Sequence, residues 1–207
     1  MPHARFITFE GIEGAGKTTL ANHLAQWLQA QGIPVLLTRE PGDSPIGESL
    51  RPLLLHQTID PYTELFLFLA DRREHTLRVI QPALHAGTWV LCDRYADSTL
   101  VYQGYGRGLD LALIRQLNDL ATGGLTPDLT VLIDLPVEVA LARANAPNRF
   151  EAETVAFHQR IREGYLQEAA HAPKRFLILD GQAPLTRLLE QVQRALHVWL
   201  PRVADAE

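Results

Sequence analysis

Short apolar runs alternate along this chain with longer stretches of helical period. Five runs, Arg5 to Glu10, Pro34 to Thr38, Thr88 to Asp93, Leu129 to Asp134 and Arg175 to Leu179, are nearly continuous in apolar residues, as parallel strands covered on both faces are. Between the first two, Leu20, Leu24, Trp27 and Leu28 recur at helical spacing and give way at Gly32, a helix stop ahead of the second strand. Leu185, Leu188, Leu189, Val192 and Leu196 form a last apolar stripe, which predicts a terminal helix packed on the sheet. Strands separated by helical segments predict an α/β fold, a five-stranded parallel sheet joined by right-handed crossovers with helices on both faces. No repeat, low-complexity tract or Pro/Ser-rich linker breaks the pattern, so the 207 residues read as one domain with a mobile flap.

Open sheets of this kind bind ligands beyond the carboxyl ends of their strands. The segments at those ends are polar here: Glu10 to Thr18, Arg39-Glu40-Pro41-Gly42, Asp93-Arg94-Tyr95, Asp134, and Asp180-Gly181-Gln182. The first contains Gly11-Ile12-Glu13-Gly14-Ala15-Gly16-Lys17-Thr18, which matches G-x-x-x-x-G-K-[ST] at every fixed position and sits between a strand and a helix. Glycines let successive backbone N–H groups converge on phosphate oxygens, and the helix N-terminus adds its positive end. Lys17 is expected to reach the β- and γ-phosphates and the Thr18 hydroxyl to ligate Mg2+, with Thr19 continuing the loop into the helix. The chain is therefore expected to bind a magnesium nucleoside triphosphate.

Asp93, at a strand end, has the chemistry to hold Mg2+ directly or through a coordinated water. Arg94 offers a fixed fork to phosphoryl oxygens, and Arg39, held in a turn by Pro41 and Gly42, could clamp a second phosphate belonging to an acceptor. A structural Asp93–Arg94 pair and a solvated loop arginine are the alternatives to those readings. Composition narrows the partners. A net charge of −5 provides no basic field for nucleic acid, and no apolar stretch is long enough to span a bilayer, so a small-molecule substrate and a cytoplasmic location are expected. The single cysteine, Cys92, lies in an apolar strand and reads as a packed thiol, while the eight histidines are scattered without ligand spacing.

These motifs together resemble bacterial thymidylate kinases over nearly the whole chain. The resemblance rests on Gly11 to Thr18, on Thr38-Arg39-Glu40-Pro41-Gly42, on Phe68-Leu69-Ala70-Asp71-Arg72, on Asp93-Arg94-Tyr95 running through Ser98-Thr99 to Tyr102-Gln103-Gly104, and on Pro127-Asp128-Leu129-Thr130 leading to Asp134. It implies a P-loop NTPase-type three-layer α/β fold, and transfer of the γ-phosphoryl group of ATP to dTMP, giving dTDP and ADP. By motif position, Gly11, Ile12, Glu13, Gly14, Ala15, Gly16, Lys17, Thr18 and Thr19 would hold ATP. Phe68 would stack on thymine, Arg72 would bond the base edge, Thr99 would lie near its N3 side beside Ser98, and Gln103 would border the base. Tyr102 would crowd out a 2′-hydroxyl, Glu13 would accept from the 3′-hydroxyl, and Arg39 and Arg94 would grip the acceptor phosphate. The resemblance also implies a homodimer formed through helices that include the Phe66 to Leu77 region.

No catalytic base is demanded, because a dTMP phosphate oxygen is already ionised at neutral pH. Positioning and electrostatic stabilisation then carry the reaction. The flap departs from the family pattern. Relatives without a basic side chain in the phosphate loop usually carry several arginines there, whereas the segment of about 143–151 supplies only Arg143 and Arg149 and has Asn148 where Asp is usual. Arg149 is expected to close over the phosphates as a catalytic group, and Arg143 to lie against adenine opposite Gly181 and Gln182. A thymidine kinase or a nucleotide-dependent switch remains an alternative on sequence alone.

Overall fold

The computed structural model describes residues 4–143 and 148–200, so positions 144–147 of the expected flap lie outside it. The chain order is β1 (Phe6–Glu10), α1 (Lys17–Ala30), β2 (Val35–Arg39), α2 (Pro45–His56), α3 (Pro61–His75), α4 (Gln81–His85), β3 (Trp89–Asp93), α5 (Ala96–Thr99), α6 (Leu111–Thr122), β4 (Leu129–Asp134), α7 (Val137–Arg143), α8 (Val155–His171), β5 (Phe176–Asp180) and α9 (Leu185–Leu196). π-helical stretches at Thr76–Ile80 and Leu100–Gly106 join α3 to α4 and extend α5. All five strands pair in parallel, in the order β2-β3-β1-β4-β5, and each expected run is a strand to within one residue at either end.

Strand position explains the burial. β1, β3 and β4 lie inside the sheet and their apolar side chains are buried, whereas the edge strands β2 and β5 leave Leu37 and Ile178 exposed. On one face, Leu20, Leu24 and Leu28 of α1 and Leu188, Val192 and Leu196 of α9 cover Ile7, Phe9, Leu91, Val131 and Ile133. The terminal stripe thus packs on the sheet as its spacing predicts. The opposite face is divided. Phe6, Val90, Cys92 and Tyr95 pack with Ile80, while Leu132 joins Val101, Tyr102, Phe157, Ile161 and Tyr165. Cys92 is buried, and burial pushes its thiol up, away from the reactive thiolate.

α1 ends where its backbone bonds do: Gly32 N donates to Gln29 O (2.9 Å) and Ile33 N to Leu28 O (3.1 Å), turning the chain toward β2. At the other end of β1 the loop runs close under β4. Gly11 has φ +140°, and a Cβ there would lie 2.6 Å from Ile133 O, so no other residue fits without moving β4. All five strands point their carboxyl ends to one edge of the sheet, which is where a crevice opens.

Candidate active site

The crevice is a cavity of about 300 Å³ whose wall runs from the phosphate loop to α3. Glu13, Lys17, Thr18, Arg39, Phe68, Arg72, Asp93, Arg94, Ser98, Thr99, Tyr102 and Gln103, chosen from sequence, all line it. The same wall holds Glu40, Arg51, Leu55, Asn148, Phe150 and Glu151, which sequence reasoning did not assign to the site.

At its floor, Lys17 leads α1 just after Gly16, and its Nζ turns back to donate to Gly11 O (3.0 Å) and Ile12 O (2.9 Å). Burial, with the nearby Arg94 charge, lowers Lys17 to about 8 and outweighs the pull of Asp93, Glu13 and Glu10. The next residue, Thr18, donates through Oγ1 to Asp93 Oδ2 at the end of β3, pairing a hydroxyl with a carboxylate at the mouth of the loop.

Arg94 follows immediately and takes a left-handed backbone, φ 72°, a conformation that costs a non-glycine residue about 1 kcal/mol or more. That turn sends its side chain across the crevice. Nη2 donates to Glu13 Oε1 (2.9 Å) and Tyr102 Oη (3.1 Å), and Nη1 to Ser98 Oγ and Tyr165 Oη (3.1 Å each). Tyr102 in turn donates to Glu13 (2.7 Å), so the tyrosine, the acid and the arginine form one hydrogen-bonded group. Burial pushes the Glu13 carboxyl up, but Arg94, Lys17 and the Tyr102 hydroxyl outweigh it and hold it below the usual carboxylate range. Behind Arg94, Glu10 at the end of β1 accepts from Tyr95 N (2.8 Å), Ser98 Oγ (2.6 Å) and Tyr165 Oη (2.8 Å). Burial and the Asp97 charge push it up to about 7.

The far wall is built on α3 and the end of β2. Arg72 is fully buried, donating from Nε to Glu40 Oε2 (2.9 Å), from Nη1 to Thr99 Oγ1 (2.6 Å) and Asn118 Oδ1 (2.8 Å), and from Nη2 to Tyr95 O (3.0 Å). It reaches the cavity edge already engaged by protein acceptors. His75 bridges Glu40 Oε1 (3.0 Å) and Thr38 (2.6 Å), carrying the same buried network back to β2. Phe68 faces Phe150 with ring centroids 6.2 Å apart, and Tyr102 meets Phe150 edge-on at 5.6 Å, which makes an aromatic slot suited to a flat ring.

Arg39 stands at the open side with its side chain half exposed, paired loosely with Asp43 (3.4 Å). Arg51 of α2 approaches it and donates to Pro41 O. Burial and the Arg39 charge lower Arg51, against the opposing pull of Asp43, Glu48 and Asp93. A lone arginine on an amphipathic helix carries no spacing signal, which is why the sequence did not single it out.

The flap residues divide. Arg143, at the end of α7, donates to Gly181 O (3.1 Å), so the arginine and the Gly181-Gln182 turn, expected on opposite sides of a base, touch each other directly. A Cβ on Gly181 would stand 2.9 Å from Asp134 O, which keeps that turn against β4. Arg149, expected over the phosphates, turns the other way. Its Nη1 pairs with Glu64, its Nε donates to Leu54 O (2.6 Å), and its guanidinium lies 4.3 Å above the Phe150 ring. A buried carboxylate on α3 and a backbone carbonyl on α2 hold it there.

The thymidylate kinase family model matches residues 9–192. The chain belongs to the thymidylate kinase family. It is 50% identical to a thymidylate kinase of Nostoc sp., over 95% of this chain and 97% of the relative. It is 53% identical to one from Nitratidesulfovibrio vulgaris, over 93% and 95%. The crystal structure of thymidylate kinase from Ehrlichia chaffeensis superimposes with a TM-score of 0.78 at 39% identity, covering 94% of this chain and 99% of that one. The chain is therefore a kinase, and the P-loop-type α/β fold implied by the motifs is the one observed. No helix among the described residues of this thymidylate kinase family member is long and apolar enough to cross a membrane.

Proposed function

We propose that this crevice transfers the γ-phosphoryl group of ATP to dTMP, with the donor phosphates over Lys17 and the acceptor phosphate between Arg39, Arg51 and Arg94. The observation that carries the reading is that one cavity is lined by two pairs of cations, Lys17 and Arg94 beside the phosphate loop and Arg39 and Arg51 at its open side. Two cationic places in one cavity match a donor and an acceptor nucleotide set end to end.

The donor lies along Gly11 to Thr19, its base against Arg143 and the Gly181-Gln182 turn that Arg143 holds. The acceptor base stacks on Phe68 within the aromatic slot, with Thr99, held by Arg72, and Gln103 at its edge. Tyr102 fills the space a 2′-hydroxyl needs, and Glu13 accepts from the 3′-hydroxyl after the acceptor phosphate draws Arg94 toward itself. Thr18 and Asp93 supply the hard oxygen donors that Mg2+ prefers, and the ion would neutralise charge on the phosphate oxygens. Arg94 is aimed into the crevice by its turn and steadied by Ser98, Tyr102 and Tyr165, so exchanging its contact with Glu13 for a phosphoryl oxygen leaves its fork facing the transferring group. An ionised phosphate oxygen of dTMP attacks in line, so no side chain removes a proton.

The face of α3 and α6 is read as the surface on which a second copy docks. The two helices pack through Leu65, Leu69, Ile114 and Ala121 and leave Tyr62, Phe66, Leu113 and Leu120 exposed on their outer sides.

ADP release measured with dTMP, dUMP, UMP, CMP and thymidine tests the reading. dTMP should give the highest kcat/KM. Phosphorylation of thymidine with dTMP left untouched would remove the acceptor-phosphate site from Arg39 and Arg51.

A further inference from the structure

Glu64, in the first turn of α3, is 1% exposed, yet it lies where three chain segments meet. Gln103 Nε2 donates to its Oε1 (2.6 Å), Arg107 Nε approaches the same oxygen at 3.4 Å, and Arg149 Nη1 donates to Oε2. A carboxylate paired with two guanidiniums has only lone pairs to offer. The Gln103 amide must therefore turn its NH2 to Glu64 and its carbonyl oxygen away, a choice dictated by the partner's chemistry. Gln103 is itself almost fully buried and forms the cavity wall beside Phe68 and Thr99. Among the described residues no protein group donates to its Oε1. The cavity is thus shown an acceptor.

We propose that Glu64 is a specificity-determining positioning residue: acting through Gln103, it makes the acceptor pocket favour a pyrimidine with a ring N–H over one whose ring nitrogen is a bare acceptor. The inference rests on the acceptor reading of this cavity. Thymine and uracil carry that N–H, and cytosine does not. An unconstrained amide could present its NH2 to cytosine equally well, so discrimination comes from the carboxylate behind it. The same carboxylate, through Arg149 stacked on Phe150, ties the base-reading amide to the aromatic slot.

The test is Glu64→Gln in the full chain, an isosteric change that lets either end of Gln103 face the pocket. With saturating ATP, kcat/KM is measured for dTMP, dUMP and dCMP. The wild type must first turn over dTMP; if it does not, the acceptor reading fails independently of Glu64. The dTMP-over-dCMP ratio should fall about tenfold in Glu64→Gln, about the worth of one polar contact, while dTMP over dUMP and the KM for ATP stay unchanged. In a Gln103→Ala background, Glu64→Gln should leave the ratio where Gln103→Ala put it. An unchanged dTMP-over-dCMP ratio in Glu64→Gln, or an equal further fall without Gln103, overturns the proposal. Should Glu64→Gln not fold, Glu64→Asp, which withdraws the carboxylate from Gln103, must lower the same ratio; no change there overturns it as well.

Discussion

Lys17 and Arg51 make separable contributions, because one crowds against Arg94 at the phosphate loop and the other against Arg39 at the open side. Lys17→Ala should reduce kcat by about two to three orders of magnitude, the usual cost of losing one transition-state donor. Arg51→Ala should raise the KM for dTMP by roughly tenfold, the worth of one charge-assisted contact, with little effect on ATP. Steady-state kinetics varying each nucleotide in turn checks both, and equal effects of Arg51→Ala on the two nucleotides would count against two anion positions. Asp71 offers a pH test. Burial and the Glu40 charge push it up to about 7 from 3.8, against the single hydrogen bond its Oδ1 accepts among the described residues, from Gly42 N (3.2 Å). Below pH 3.8 the group is protonated in both states; between 3.8 and 7 only the folded state keeps the proton, so its contribution to stability is lost as pH rises. The urea-unfolding free energy of Asp71→Asn minus that of the wild type should therefore increase from pH 4 to pH 8, and a flat difference would contradict the raised value. Lys17 and Thr18 were legible in the sequence through the fixed spacing of the phosphate loop, and Asp93 through its place at the end of an apolar run. Arg51, Glu64 and Phe150 were not, since only folding brings α2, α3 and the segment after the flap to one wall. The direction of Arg149 was equally hidden: its partner Glu64 lies 85 positions away.

At the scale of elements, the five strands could be read because each is a short apolar run bounded by polar turns. The π-helical stretches at Thr76–Ile80 and Leu100–Gly106 have no comparable signature, and the second carries Tyr102 and Gln103 into the cavity wall. α1 separates packing from chemistry. Leu24 is buried against the sheet, well away from the cavity wall, so Leu24→Ala should lower stability by about 2–5 kcal/mol while leaving the KM for ATP unchanged in the folded fraction. Gly11→Ala should do the reverse. Its Cβ would press on Ile133 O at 2.6 Å, displacing the loop that receives phosphate, and nucleotide affinity should fall before cooperative folding is lost. Thermal unfolding alongside ATP binding distinguishes these outcomes.

At the scale of the whole molecule, the outer sides of α3 and α6 present Phe66, more than half exposed, together with Tyr62, Leu113 and Leu120. Phe66→Asp should shift the sedimenting species toward the monomer if a second copy docks there, and unaltered sedimentation would place the contact elsewhere. The family resemblance points to the Phe66 to Leu77 region without saying which of its sides faces another chain, because a covered core and a covered contact carry the same residues.

The grip of Lys17 on the carbonyls of Gly11 and Ile12 means that the socket holds its shape with its own side chain as a placeholder. An arriving triphosphate swaps one set of oxygens for another and has only a single flexible stem to swing aside. Little disorder is left to remove at that moment, which leaves the strength of the grip on the donor to be decided by charge rather than by the labour of assembling the cradle.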